Sequence, residues 1–202
     1  MIDVYIAALP KEELSIPLSC KERQAEIDKI ANERVRREKY YVWRLLEYAI
    51  KNSLGADASR LCFNKGNNRK WSCEGIEFSL SHSGDALAVA VSSKTVGIDV
   101  ERIRVRDRAR MADYMLTPLE REEYESIADD GREEWLIRRW CEKEAIFKSQ
   151  NKDIFAPSRI ETAEFFSFVR DILIENEKYI LAVCADDADT VRVFDGIKLL
   201  EE

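Results

Sequence analysis

Three carboxylates and one lysine stand out in this sequence for their spacing. In Thr95-Val96-Gly97-Ile98-Asp99-Val100-Glu101, apolar residues occupy every second position. Successive side chains of a strand point to opposite faces, so Val96, Ile98 and Val100 face a core while Gly97, Asp99 and Glu101 share the other side. At the rise of a strand, Asp99 and Glu101 stand roughly 6–7 Å apart. That is near enough to share a cation and to repel one another without it. A solvated strand face is the plain alternative for this segment by itself. Further on, Arg132–Ser149 places Leu136, Trp140, Glu144 and Phe147 at i, i+4, i+8 and i+11, one stripe at the helical period. A carboxylate inside such a stripe is costly unless paired or coordinated. Lys148, four residues on, lies on the same side, and an exposed Glu–Lys pair at that spacing is worth only about 0.2–0.5 kcal/mol. Glu144 therefore reads as the third carboxylate of an oxygen-rich Mg²⁺ site, with Lys148 nearby to meet an anion.

The remaining chemistry gathers at Phe78-Ser79-Leu80-Ser81-His82-Ser83-Gly84-Asp85, a strand end running into a turn. Hydroxyls and an imidazole at a strand end are good donors to phosphate oxygens, and a structural turn histidine is the alternative. A Ser–His nucleophile pair is disfavoured, because adjacent strand residues point apart and no G-x-S-x-G elbow is present.

His82 is the single histidine among 39 acidic and 32 basic residues. This excludes multi-histidine zinc sites and HExxH proteases. The five cysteines (Cys20, Cys62, Cys73, Cys141, Cys184) form no CxxC pair, which reads as reduced thiols in a cytoplasmic protein rather than a disulfide or zinc framework. No apolar run approaches the length of a membrane span, and the opening MIDVYIAAL reads as a strand rather than a signal peptide. The net charge of −7 argues against nucleic-acid binding. It conceals two basic stretches: residues 21–44, and Arg102, Arg104, Arg106, Arg108 and Arg110. These are either solvated faces or docking sites for an anionic ligand and an acidic partner.

The elements that must hold these residues are legible in outline. Residues 2–9 read as a strand and 20–53 as two helices. Residues 76–82, 86–92 and 95–101 read as a β-meander. Thr117-Pro118-Leu119-Glu120 has the form of a helix start. Residues 132–149 form the clearest helix, and strands are expected near 163–174, 178–185 and 190–195. The order predicts an α+β fold of two similar, pseudo-symmetric halves, 1–95 and 96–202, fused into one two-lobed body with the site in the cleft between them.

Taken together, FSLSHSGDALAVAV, then GIDVE, then WCEKEAIFK resemble the 4′-phosphopantetheinyl transferases, in particular the longer, monomeric, surfactin-synthetase-activating kind. The resemblance covers roughly residues 71–150. It implies transfer of the phosphopantetheine arm of coenzyme A to a serine of an acyl, peptidyl or aryl carrier protein, with Mg²⁺ and release of adenosine 3′,5′-bisphosphate. It implies Asp99, Glu101 and Glu144 as metal ligands, Ser81 and His82 at the nucleotide's 3′-phosphate region, and Lys143 and Lys148 near the pyrophosphate. Glu144 or Glu120 would be the base. The family's Gly-Lys-Pro is replaced by Gly66-Asn67-Asn68-Arg69-Lys70-Trp71, which leaves Arg69 or Lys70 for phosphate contact, and Arg37 or Lys39 for the nucleotide. The Arg102–Arg110 run suits docking of an acidic carrier. Two rivals stand beside this reading. One is another Mg²⁺-dependent phosphotransferase, weakened by the lack of a GxxxxGK[ST] loop. The other is a non-catalytic coenzyme A or carrier-binding module of the same fold.

Overall fold

The computed structural model describes residues 1–12, 16–66, 70–105, 107–150, 152–185 and 190–199. It opens with β1 (Ile2–Ala8), buried on both faces almost throughout. Two helices follow, α1 (Lys21–Asp28) and α2 (Glu33–Leu54). The second starts where the Asn32 side chain accepts from Val35 N, and it stops at Gly55, whose left-handed φ of 62° suits glycine. A short hairpin, β2 (Phe63–Lys65) and β3 (Trp71–Cys73), leads to β4 (Glu77–Ser83), β5 (Ala86–Ser92) and β6 (Val96–Arg102). Then come α3 (Arg108–Met115), α4 (Pro118–Ser126) and α5 (Arg132–Ser149), followed by β7 (Ser167–Ile174), β8 (Glu177–Ala185) and β9 (Val191–Phe194). Glu175 and Asn176, both at positive φ, make the two-residue turn between β7 and β8.

The strands sort into two main sheets, β4-β5-β1-β9 and β6-β8-β7, beside the β2-β3 hairpin. The expected meander is therefore corrected: β4 and β5 pair, but β6 leaves them to pair with β8. The last strand also departs from expectation. Although β9 lies beyond residue 96, it pairs in parallel with β1, in the sheet of the N-terminal strands. Its register is set by a charge: Asp3 faces Arg192, whose guanidinium donates to both carboxylate oxygens at 2.7 Å. Such a two-pronged pair is geometrically selective.

Three apolar layers follow from strand alternation. Tyr5, Ala7, Leu87, Val89 and Val91 face α2 through Trp43, Leu46 and Ile50. On their other side Ile2, Val4, Ile6, Ala86, Ala88 and Ala90 meet Val96, Ile98, Val100, Leu181 and Val183 of the second sheet. Beyond that sheet, Ile180, Ala182 and Cys184 pack on Ile137, Cys141 and Ala145 of α5. The buried face of α5 is thus rotated from the expected stripe. Leu136 is buried, but Trp140, Glu144 and Phe147 lie at its margin, half-buried. The margin is where a carboxylate can be held close to a core and still be reached.

Gly97 decides how near α5 comes to β6. A Cβ at this position would lie 1.9 Å from Ala145 O and 2.6 Å from Ser149 N, both backbone atoms with no freedom to swing aside. Gly97→Ala is expected to destabilise the fold by about 1–3 kcal/mol or more, through overpacking. For a chain of this size that corresponds to a loss of about 2–4 °C in Tm per kcal/mol. An unchanged thermal midpoint would contradict this packing.

Candidate active site

The close approach of α5 to β6 brings the two acidic motifs together. Asp99 is 2% exposed. Lys148 Nζ donates to its Oδ1 at 2.6 Å and lies 3.4 Å from Glu144 Oε2. The same Asp99 oxygen accepts from Ser81 Oγ at 2.7 Å, while Asp99 Oδ2 is buried without a hydrogen-bond partner. Two residues along the strand, Glu101 Oε2 accepts from Ser83 Oγ at 2.7 Å.

Two carboxylates, those of Asp99 and Glu144, thus contact one ammonium, and the carboxyl of Glu101 stands near enough to feel their charges. Burial, and next the charge of Asp99, push Glu101 up to about 7, against the smaller opposing effects of Ser83 and Lys148. Glu144 is raised by the same two causes. Burial acts to lower Lys148, but Asp99 and Glu144 outweigh it and hold its ammonium above the ordinary lysine range. An orphaned, buried Asp99 Oδ2 beside two carboxyls driven toward neutrality is an oxygen donor set short of positive charge. That shortage fits a hard divalent cation such as Mg²⁺. Among the described residues, no three His, Cys, Asp or Glu side chains are already gathered into a cage. Lys148 bridges Asp99 and Glu144 instead.

The raised Glu101 value has a consequence for stability. It lies above the ordinary value of 4.5, so in metal-free protein its contribution is full below about 4.5 and is lost as the pH rises through about 7. The Tm of metal-free protein is expected to fall across this window, and Glu101→Gln, which cannot ionise, should flatten the fall. A wild-type profile with no slope between these values would contradict the assignment.

The other candidates are distributed less simply. Ser81 and His82, read together as phosphate donors, lie on opposite faces of β4. The Ser81 hydroxyl is buried and engaged by Asp99, by Val100 N at 3.2 Å and by Lys148 Nζ at 3.4 Å. His82 Nδ1 sits 3.7 Å from Glu38 Oε2 of α2. Burial, and then neighbouring Lys39, hold this imidazole below its ordinary value. Lys70 donates to Lys148 O at 3.0 Å, tying the strand after the β2–β3 loop to the last turn of α5. Arg69 lies outside the described residues. Arg37 donates to Lys11 O at 3.3 Å.

Lys143 requires a correction. Expected near a pyrophosphate, it is wholly buried, and its Nζ donates to Met115 O, Pro157 O and Ile160 O at 2.7–2.9 Å and pairs with Glu120 Oε2 at 2.6 Å. No proton of that ammonium is left for a ligand. Glu120, expected as an alternative base, is corrected with it. It is 2% exposed, accepts from Thr117 N in the capping box of α4, and accepts from Thr162 Oγ1 through its other oxygen. Both are fixtures of the fold.

Comparison with known proteins bears on this arrangement. Residues 95–184 match the family model described as the 4′-phosphopantetheinyl transferase superfamily. The chain is also similar to three proteins named as 4′-phosphopantetheinyl transferases. It is 31% identical to AcpT of Escherichia coli K12 over 128 residues, which is 59% of this chain and 65% of that protein. It is 27% identical to one from Bacillus subtilis over 139 residues, covering 61% and 60%. It is 36% identical to psf-1 of Bacillus pumilus over 79 residues, covering 39% and 34%. The matches span less than two thirds of the length of each of these relatives.

The superfamily segment runs from the start of β6 to the end of β8 and so holds Asp99, Glu101, Glu144 and Lys148. The serine–histidine strand β4 lies before it. Sequence reasoning missed Ser79 and Ser83 as partners of β6, and Gly97 as the contact that lets α5 down. The first had a visible signal, serine at every second position of β4.

Proposed function

We propose that the protein transfers the 4′-phosphopantetheine arm of coenzyme A to a serine hydroxyl of an acyl, peptidyl or aryl carrier protein, releasing adenosine 3′,5′-bisphosphate. The observation that carries this reading is the meeting of Asp99, Glu101, Glu144 and Lys148 from two motifs of the superfamily segment, with Asp99 Oδ2 buried and unpartnered. Asp99, Glu101 and Glu144 would hold Mg²⁺. When bound, the ion supplies positive charge against the pyrophosphate of the donor. Lys148, half-exposed between two carboxylates, can present its ammonium to the same oxygens. With Glu120 locked in the α4 cap, Glu144 is the one of the two expected bases left to take up a proton from the incoming serine. His82, lowered by burial, offers one neutral N–H at the nucleotide end. All of these groups come from one chain, which supports a monomeric enzyme.

The carrier surface can be narrowed. Of the five arginines from 102 to 110, Arg102 is paired with Glu177 at 2.6 Å and Arg108 with Asp129 at 3.1 Å. Arg106 lies outside the described residues. Arg104 and Arg110 instead line a groove of about 560 Å³ with Met111, Tyr114, Trp140, the α3 cap residue Asp107 and, at the metal-site end, Glu101. Two basic side chains around an apolar floor suit an acidic carrier helix with an apolar anchor. Reversing both, Arg104→Glu and Arg110→Glu, should raise the KM for carrier about tenfold or more and leave the KM for coenzyme A unchanged. An unchanged carrier KM removes this surface from the proposal.

The direct test is to incubate the protein with coenzyme A, Mg²⁺ and several apo carrier proteins and to weigh the carriers by mass spectrometry. A gain of one phosphopantetheine is the expected result. No gain on any carrier would overturn the reading in favour of a non-catalytic binding module.

A further inference from the structure

β4 and β6 are edge strands of different sheets, yet they lie side by side without a backbone ladder between them. The polar groups along that junction are satisfied in another way. Ile98 N donates to Ser79 Oγ at 3.1 Å, Val100 N to Ser81 Oγ at 3.2 Å, and Arg102 N to Ser83 Oγ at 3.3 Å. The spacing is the period of a strand on both sides: every second residue of β4 meets every second N–H of β6. Phe78, on the opposite face of β4, packs with the α2 layer, so the serine row is the face turned to β6.

A hydroxyl has one proton and two lone pairs, so accepting from a backbone N–H leaves its own proton to give. Ser81 gives it to Asp99 and Ser83 gives it to Glu101, each at 2.7 Å. Each of these serines therefore grips one residue of β6 by its N–H and the carboxylate of the residue before it. We propose that Ser79, Ser81 and Ser83 form a seam that closes the free edge of β6 and sets the position of its two carboxylates. Ser81 and Ser83 are positioning residues for Asp99 and Glu101, and Ser79 anchors the start of the row. The part of this inference that concerns the metal site rests on the transferase reading; the seam itself does not.

Ser83 gives the cleanest test, because its hydroxyl is engaged only within the row while that of Ser81 also meets Lys148. In Ser83→Ala, Arg102 N loses its acceptor and Glu101 loses its donor. Amide hydrogen exchange in metal-free protein, followed by NMR, should speed up at Arg102 by about tenfold or more. The amides of β1 and β5 should keep their wild-type rates, which separates a local effect from general loosening. Mg²⁺ affinity, read by calorimetry without coenzyme A or carrier, should weaken about three- to tenfold. Ser83→Thr, which keeps the hydroxyl, should restore both. Unchanged Arg102 exchange in Ser83→Ala would overturn the seam, and weakened Mg²⁺ binding that Thr does not restore would overturn the positioning role. Wild-type protein that transfers nothing would sink the transferase reading alone, since Arg102 exchange is measured without metal, donor or acceptor.

Discussion

Asp99→Ala should lower phosphopantetheine transfer on the order of 10³-fold while leaving a folded protein. The site offers the reason. Asp99 is the carboxylate that contacts Lys148, carries the orphaned buried oxygen and, after burial, raises both Glu101 and Glu144. Removing it takes away the central oxygen donors of the group proposed to hold Mg²⁺, and several kcal/mol of charge stabilisation corresponds to about 10²–10⁴ in rate. The fold should survive because repulsion falls when one of three carboxylates leaves, and Glu144 remains beside Lys148 at 3.4 Å. Circular dichroism and thermal melting check the fold, carrier mass checks transfer, and calorimetry checks Mg²⁺ binding. A folded Asp99→Ala protein with near-normal transfer would reject the metal assignment.

Lys143→Ala should do the reverse, costing stability first. Its ammonium meets three carbonyls and the Glu120 carboxylate in a place closed to solvent. Truncation leaves Glu120 buried opposite no cation, a change that costs about 3–5 kcal/mol. For a protein of this size that is a Tm loss of about 6–20 °C. Replacing both partners by apolar residues, as in Lys143→Met with Glu120→Leu, should recover part of the loss, because no buried charge is then left alone. Lys148→Ala, five residues along the same helix, is expected to impair transfer and also to cost stability in metal-free protein, since it leaves the buried Asp99 carboxylate without its cation. Were Lys143 a pyrophosphate ligand, its truncation would raise the KM for coenzyme A in a protein of normal stability; that outcome would refute the structural role.

These two lysines show where sequence reading reaches and where it stops. Spacing identified helix α5 and placed Lys143, Glu144 and Lys148 on it, because helical period is a local property that neighbouring residues set by themselves. It could not tell which lysine faces a buried carbonyl nest and which a half-open carboxylate pair. That depends on what α3, α4 and residues 157–162 bring against the helix from elsewhere in the chain. Glu120 teaches the same lesson. Its capping-box position was legible from Thr117-Pro118-Leu119-Glu120, and its engagement by Lys143 and Thr162 was not.

The strands divide in the same way. Alternation alone put Asp99 and Glu101 on one face of β6, and Phe78 and Leu80 on one face of β4. A two-residue period is written into the backbone geometry. Which edges would meet was decided only by tertiary packing. A continuous apolar strand such as β5 does not say that its neighbour will cross to another sheet, nor that β9 will return to β1. The serines of β4 looked free to bind phosphate because a sequence shows donors without their partners. Folding placed the unpaired N–H groups of β6 opposite them, and a buried backbone donor must find an acceptor. Residue type and local period thus marked the candidate groups. The surroundings that distinguish them, a half-open carboxylate pair, a closed carbonyl nest or a row of backbone N–H groups, come from contacts between residues far apart in the chain.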